Sequence, residues 1–471
     1  MKKYLATPLQ GVFYCDRIAE VCFSEILMKI HLYEHFTYKK IIKFTLPSIA
    51  MMIFTSIYGV VDGFFVSNFA GKEAFTAVNF IYPFIMVLGA FGFMFGTGGS
   101  ALIAKTLGEG KKEKANRLFS MFVYISAAFG IVIAVAGVLL LRPIASALGA
   151  EGELLENCVT YGRILLIAMP AFMLQFEFQS FCATAEKPQL GLAVTIGAGV
   201  TNMVLDAVLV LLLPQELKLT GAALATALSQ CVGGIVPLIY FAKKNDSLLK
   251  LTSFEFDVKS FFKGCGNGSS ELMANISMSL VAMLYNAQLI THAGEDGVAA
   301  YGVLMYVNMI FLAIYIGYSV GSAPIIGYNF GADNKAELKS VLKKSLVIIS
   351  ISSLLMLLAG ILLANPLSDI FVGYDQGLWE MTVNAFFIFS FSFLFAGLAI
   401  FGSSFFTALN NGLISAIMSF LRTMVFQIAA VILLPRLMGL DGIWLSVVVA
   451  EFMAALLSIG FIIAKRKKYG Y

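Results

Sequence analysis

The chain has 471 residues, 59% hydrophobic and only 13% charged, with a formal net charge of +4. A soluble globular domain is nearer to half apolar with about a quarter charged. With a mean hydropathy of +0.87, this excludes a soluble enzyme or a nucleic-acid-binding protein and leaves an integral membrane protein, in which each helical span takes about 20 apolar residues.

Residues 1–27 are mixed in character, with Asp16, Arg17, Glu20 and Glu25, and lack the long apolar core and small-residue cleavage site of a signal peptide. They read as a short cytoplasmic helix or as an extension ahead of a start at Met28, and the second reading is preferred. Twelve apolar segments follow, near 43–67, 77–104, 118–141, 159–184, 190–213, 221–242, 265–291, 298–328, 345–364, 383–408, 413–434 and 442–464. The expected organisation is an N-terminal cytoplasmic segment 1–42, a first lobe 43–242, a linker 243–263, a second lobe 264–464 and a basic tail 465–471.

The loops set the orientation. Counted from Met28, one side carries 23 Lys and Arg residues, while the other has Lys72, Arg142, Lys218 and Arg436. Positive residues gather on the cytoplasmic side. Both termini are therefore expected in the cytoplasm of a multi-pass cell-membrane protein.

The chain also repeats. Gly71 and Gly294, Gly98 and Gly321, Gly108 and Gly331, and Pro143 and Pro366 are each 223 residues apart. Beyond the fifth segment the spacing becomes 221, as in Pro214 with Pro435 and Gly221 with Gly442. Six spans per copy is an even number, so both copies insert the same way up. The expected fold is all-α, with twelve transmembrane helices in two six-helix repeats. They are related by a pseudo-two-fold axis along the membrane normal, with the site between them.

Five acids lie inside predicted spans: Asp62, Glu177, Asp206, Glu271 and Glu451. An intramembrane acid is costly and by default faces a partner or a cavity. The repeat pairs Asp62 with Tyr285, Asp206 with Gln427, Glu271 with Ser48 and Glu451 with Gln230. No acid is duplicated, so none is a requirement of the fold. Asn202 and Asp206 share one face of a helix. With Asp62 they form a candidate cation or proton site, the alternative being simple helix-to-helix hydrogen bonding. Glu271, Glu177 and Glu451 are candidates for a secondary site. Arg163 and Arg422 are expected to pair or to snorkel. Pro47 either kinks the first helix or begins it. The six cysteines make no Cys-x-x-Cys pattern, and none of the three histidines lies deep in a span. They are read as free thiols, and histidine-based catalysis or metal binding is not expected.

These features resemble the multidrug and toxic compound extrusion (MATE) family. The resemblance rests on Gly59-Val60-Val61-Asp62-Gly63, on Asn202-x-x-x-Asp206, and on Gly221-Ala222-Ala223-Leu224-Ala225-Thr226, within a twelve-helix repeat spanning roughly 35–465. It implies a monomeric rocker-switch antiporter without a cofactor, exporting organic cations or amphipathic compounds against entry of Na⁺ or H⁺. Asp62, Asn202 and Asp206 match the family's cation site, with Thr226 as its hydroxyl member; with Na⁺ as the ion, Asp62, Asn202 and Asp206 would ligate it. Glu271 resembles an acid in the seventh helix of one branch. That branch has another acid in the tenth helix, where the segment 383–408 has none. Two other functions compete. A flippase for a lipid-linked sugar shares the topology but calls for a more cationic cavity. An intramembrane enzyme calls for a nucleophile with a base or for spaced metal ligands, and only an Asp62/Asp206 pair approaches that.

Overall fold

The computed structural model describes residues 30–471; the expectations for residues 1–27, for Met28 as the start, and for Cys15 and Cys22 lie outside them. The chain forms α1 (Tyr38–Phe65), which ends in a π turn (Val66–Ala70), then α2 (Lys72–Gly108) and α3 (Lys112–Ala147). Next come α4 (Gly152–Ile167), α5 (Met169–Thr184), α6 (Pro188–Leu212) and α7 (Lys218–Ala242). The second half holds α8 (Val258–Gly331), α9 (Lys335–Val372), α10 (Gln376–Ala408), α11 (Gly412–Phe420), a π turn (Leu421–Phe426), α12 (Gln427–Met438) and α13 (Leu440–Tyr469).

Several helices begin well before their apolar segments, because a polar residue caps the extension. The Thr37 hydroxyl accepts from Lys40 N at 3.3 Å, so α1 starts at Tyr38. Asp257 accepts from Ser260 N at 3.1 Å, so α8 starts at Val258. Each side chain satisfies a backbone donor that the first helical turn leaves free. The connection expected at 243–263 accordingly shortens to 243–257.

Three of the expected spans have a particular form. The segment 159–184 is broken between α4 and α5 with a bend of 57°. Pro170 lies in the first turn of α5; it lacks an N–H, and its ring collides with the carbonyl four residues back, so a straight helix cannot pass through. In contrast, the seventh and eighth spans run as one helical trace interrupted only at Gly294, with φ 64° and ψ −149°. Sixteen residues of straight helix would span about 24 Å, yet the Tyr285 and Tyr301 rings stack 5.4 Å apart. The chain therefore folds back on itself at Gly294, in a backbone conformation open to glycine. With α8 counted as two spans and α4–α5 as one, the described residues hold twelve candidate membrane spans, judged by length and apolar composition. Pro47 lies inside α1 and does not begin it.

The two halves are built alike and exchange their first helices. The core of the first half runs from Val66 to Leu249 and is rich in aromatic rings such as Phe119, Phe178 and Phe241. Ile41 and Phe44, at the start of α1, are buried in the core of the second half. In return Phe261, Cys265 and Leu272, at the start of α8, pack on the core of the first.

Glycine contacts follow the same exchange. A β-carbon at Gly98 would overlap the backbone of Gly264 and Gly268, and one at Gly321 would stand 3.0 Å from Thr45 Cα. Thr45 is the repeat counterpart of Gly268. A β-carbon at Gly108 would overlap the Tyr328 carbonyl, and one at Gly331 the Lys105 carbonyl; these residues also correspond pairwise at 223. The halves thus meet at the lysine-rich end of the bundle across backbones that glycine alone lets approach.

Candidate functional site

Asp62 lies late in α1, where the helix has crossed from the second half to the first. Asn202 and Asp206 point from one face of α6, and Thr226 sits two turns into α7. The structure brings these four together. Asn202 Nδ2 donates to Asp62 Oδ1 at 3.4 Å, and the Thr226 hydroxyl donates to the same oxygen at 3.2 Å. Asp206 is fully buried beside Asp62. Both of its carboxylate oxygens and Asn202 Oδ1 lack a hydrogen-bond donor among the described residues.

The site is therefore a set of converging oxygens from two carboxylates, an amide and a hydroxyl, with no nitrogen or sulfur ligand. Hard cations take such oxygens. Two adjacent carboxylates in an apolar interior repel each other, and a proton or a cation between them relieves that repulsion. Among the described residues no group of three or more His, Cys, Asp or Glu side chains is placed to hold a metal ion.

The matching position of the second half is neutral. There Tyr285 donates its hydroxyl to Gln427 Oε1 at 2.9 Å, and these residues are the repeat counterparts of Asp62 and Asp206. The same two helix positions thus hold a closed Tyr–Gln hydrogen bond in one half and an under-satisfied acid pair in the other.

A family model described as MatE matches residues 47–208 and 258–433, which is most of the chain. The chain belongs to the MatE family. It is similar to the multidrug export protein MepA of Staphylococcus haemolyticus, 27% identical over 438 residues that cover 92% of this chain and 94% of that protein. Among solved structures, a MATE transporter in complex with MaL6 matches with a TM-score of 0.87 at 21% identity, covering 93% of this chain and 98% of that one. An outward-facing multidrug resistance MATE family transporter matches with a TM-score of 0.87 at 22% identity, covering 93% and 97%. The chain is thus a membrane transporter with the MATE fold and its two six-helix repeats.

The three other intramembrane acids lie outside the four-residue site of this MATE chain. Glu177 is buried on α5 near Ser126, and neither of its carboxylate oxygens has a partner among the described residues. Glu451 on α13 is held by Arg422: Nε donates to its two oxygens at 3.1 and 2.9 Å, and Nη2 donates to Oε1 at 2.9 Å. Glu271 is only partly buried and feels the same guanidinium. The expectation that Arg422 pairs is met, and its pairing ties Glu451 down.

Removing that guanidinium would leave Glu451 buried without a counter-charge. Arg422→Ala is expected to lower stability by about 3–5 kcal/mol, read as an earlier thermal unfolding in detergent. Adding Glu451→Gln to Arg422→Ala should recover most of the loss. An unchanged unfolding midpoint in Arg422→Ala would contradict this account of the pair.

Two residues around Asp62 were missed in the reading of the sequence. Tyr58 is one helical turn before Asp62, and Gln175 Nε2 donates to its hydroxyl at 3.4 Å. The spacing of four between Tyr58 and Asp62 was the available signal.

Proposed function

We propose that this chain is a cation-coupled antiporter that exports organic cations or amphipathic compounds by rocker-switch alternating access. Entry of Na⁺ or H⁺ at Asp62 and Asp206 drives export, and no cofactor takes part. The observation that carries the reading is the asymmetry between the repeats. One half holds two adjacent carboxylates, of which Asp206 has no hydrogen-bond partner for either oxygen among the described residues, and the other holds a neutral Tyr285–Gln427 pair in the same place. The oxygen set of Asp62, Asp206, Asn202 and Thr226 suits Na⁺ directly, and the acid pair alone suits a proton.

Coupling follows if the ion and the substrate favour different states. Ion uptake removes the repulsion within the site and lets α1 repack against α6 and α7. The two lobes, 43–242 and 264–464, then rock about their contact. The excess of Lys and Arg supports a cytoplasmic position for the glycine-closed end, the linker, the tail and both termini, and the working unit in this reading is a monomer. Export of drugs by relatives such as MepA supports the choice of substrate class. The flippase reading loses support, because Arg422 is already engaged by Glu451.

The test is ethidium efflux from cells producing the protein, with a Na⁺ gradient and a pH gradient imposed in turn. Efflux that quickens by about tenfold under one gradient names the coupling ion. Indifference of ethidium and several other dyes to both gradients would sink the reading.

A further inference from the structure

One helical turn from the acid pair, toward the lysine-rich end, lies a buried layer of amides. α1 runs away from that end, so Tyr58 lies inward of Asp62. α5 and α7 run toward it, so Gln179 lies inward of Gln175, and Gln230 inward of Thr226. Gln175 and Gln179, four apart, share one face of α5. Gly233 of α7 presses against the Gln175 side chain, where a β-carbon would stand 2.6 Å from Cδ. Each step therefore leads in the same direction, about 6 Å at a time.

The amides are under-satisfied. Gln175, Gln179 and Gln230 are 4%, 3% and 4% exposed. Gln175 Oε1, both amide atoms of Gln179 and Gln230 Oε1 have no hydrogen-bond partner among the described residues. A buried amide without a partner is destabilising, and buried polar groups as a rule have one. A row of them next to a cation site points to polar traffic.

The repeat shows that the fold does not ask for this row. Tyr58, Gln175 and Gln179 correspond to Val281, Leu398 and Gly402, where the second half is apolar. Gln230 corresponds to Glu451, whose carboxylate already has its partner in Arg422. The half with the open acid pair is also the half with the open amides.

We propose that Tyr58, Gln175, Gln179 and Gln230 form the inward route of the coupling cation. The ion leaves Asp62 and Asp206 through the interior of the first half toward the lysine-rich end, apart from the cavity between the halves. This rests on the antiporter reading above. Amide and hydroxyl oxygens ligate Na⁺ directly, or hold the water that carries a proton. Being neutral, they bind a passing cation weakly enough for it to leave, as conduction requires. A separate route lets the ion depart while substrate enters the central cavity.

The experiment uses the full-length protein in liposomes and compares two rates for each variant. One is ethidium transport driven by a Na⁺ or a pH gradient. The other is ethidium–ethidium exchange without a gradient, which needs no passage of the ion. The variants are Gln175→Met, Gln179→Met and the pair, since methionine keeps the length and nearly the volume of glutamine. The ratio of driven rate to exchange rate should fall by about tenfold in the double variant, and Gln175→Asn with Gln179→Asn should restore it. Loss under only the Na⁺ gradient would identify a Na⁺ route, and loss under only the pH gradient a proton route. An unchanged ratio, or a fall of both rates together, would overturn the proposal. Should the double variant fail to exchange at all, the single variants decide on the same ratio. Driven transport that survives in Asp62→Asn would instead overturn the antiporter reading, whatever the glutamine variants do.

Discussion

Asp62→Asn is expected to reduce driven ethidium efflux by at least about tenfold while the protein remains folded in the membrane. The substitution keeps the shape of the side chain. Its amide oxygen still accepts from Asn202 Nδ2 and Thr226 Oγ1, the two contacts seen at 3.4 and 3.2 Å. What it removes is one negative charge from the acid pair. Asp206 is then left without a like charge beside it, and ion uptake no longer relieves a repulsion. The switch between states loses its ion dependence. The measurement is efflux at matched protein level in the membrane, and efflux equal to that of the unsubstituted protein would contradict the role given to Asp62.

Gly108→Val is expected to abolish transport by a different route. A β-carbon at Gly108 overlaps the Tyr328 carbonyl, and at Gly331 it overlaps the Lys105 carbonyl. The atoms in the way are backbone, which cannot turn aside as a side chain can. The halves could not close at the lysine-rich end, and alternating access would lose one of its two end states. Gly331→Val should behave alike, because the contact is its own image under the repeat. Gly302 is a suitable control, since a β-carbon there meets nothing within 4 Å. The check is ethidium efflux with membrane yield measured alongside. Full efflux in Gly108→Val would show that this closure is not a working state.

Much of this was legible in the order of the residues. Twelve apolar segments and their lysine-rich loops follow from the demand that spans be apolar and flanked by charge. The register of Gly98 with Gly321 and of Gly108 with Gly331 was legible as a repeat. The structure gives it a cause, since those glycines are where the two halves approach backbone to backbone. Asp62, Asn202, Asp206 and Thr226 were legible because an acid in an apolar run stands out and helical spacing aligns its neighbours.

What was hidden depends on tertiary neighbours. Gln175 and Tyr58 are ordinary residues until α5 is known to lie against α1. Arg422 and Glu451 were both visible, but 29 residues separate them, and only the packing of α13 against the π turn makes them a pair. The break at Ala168 could have been read from Pro170. The turn at Gly294 was legible as well, as the break between the apolar segments 265–291 and 298–328.

The most direct test of the central claim is ion movement driven by substrate in liposomes containing the purified protein. An ethidium gradient is imposed with no ion gradient, and internal pH and Na⁺ are followed. The account predicts that one of the two ions moves opposite to ethidium, and that Asp62→Asn stops that movement. Ethidium crossing without any countermovement of H⁺ or Na⁺, or countermovement that persists in Asp62→Asn, would contradict it.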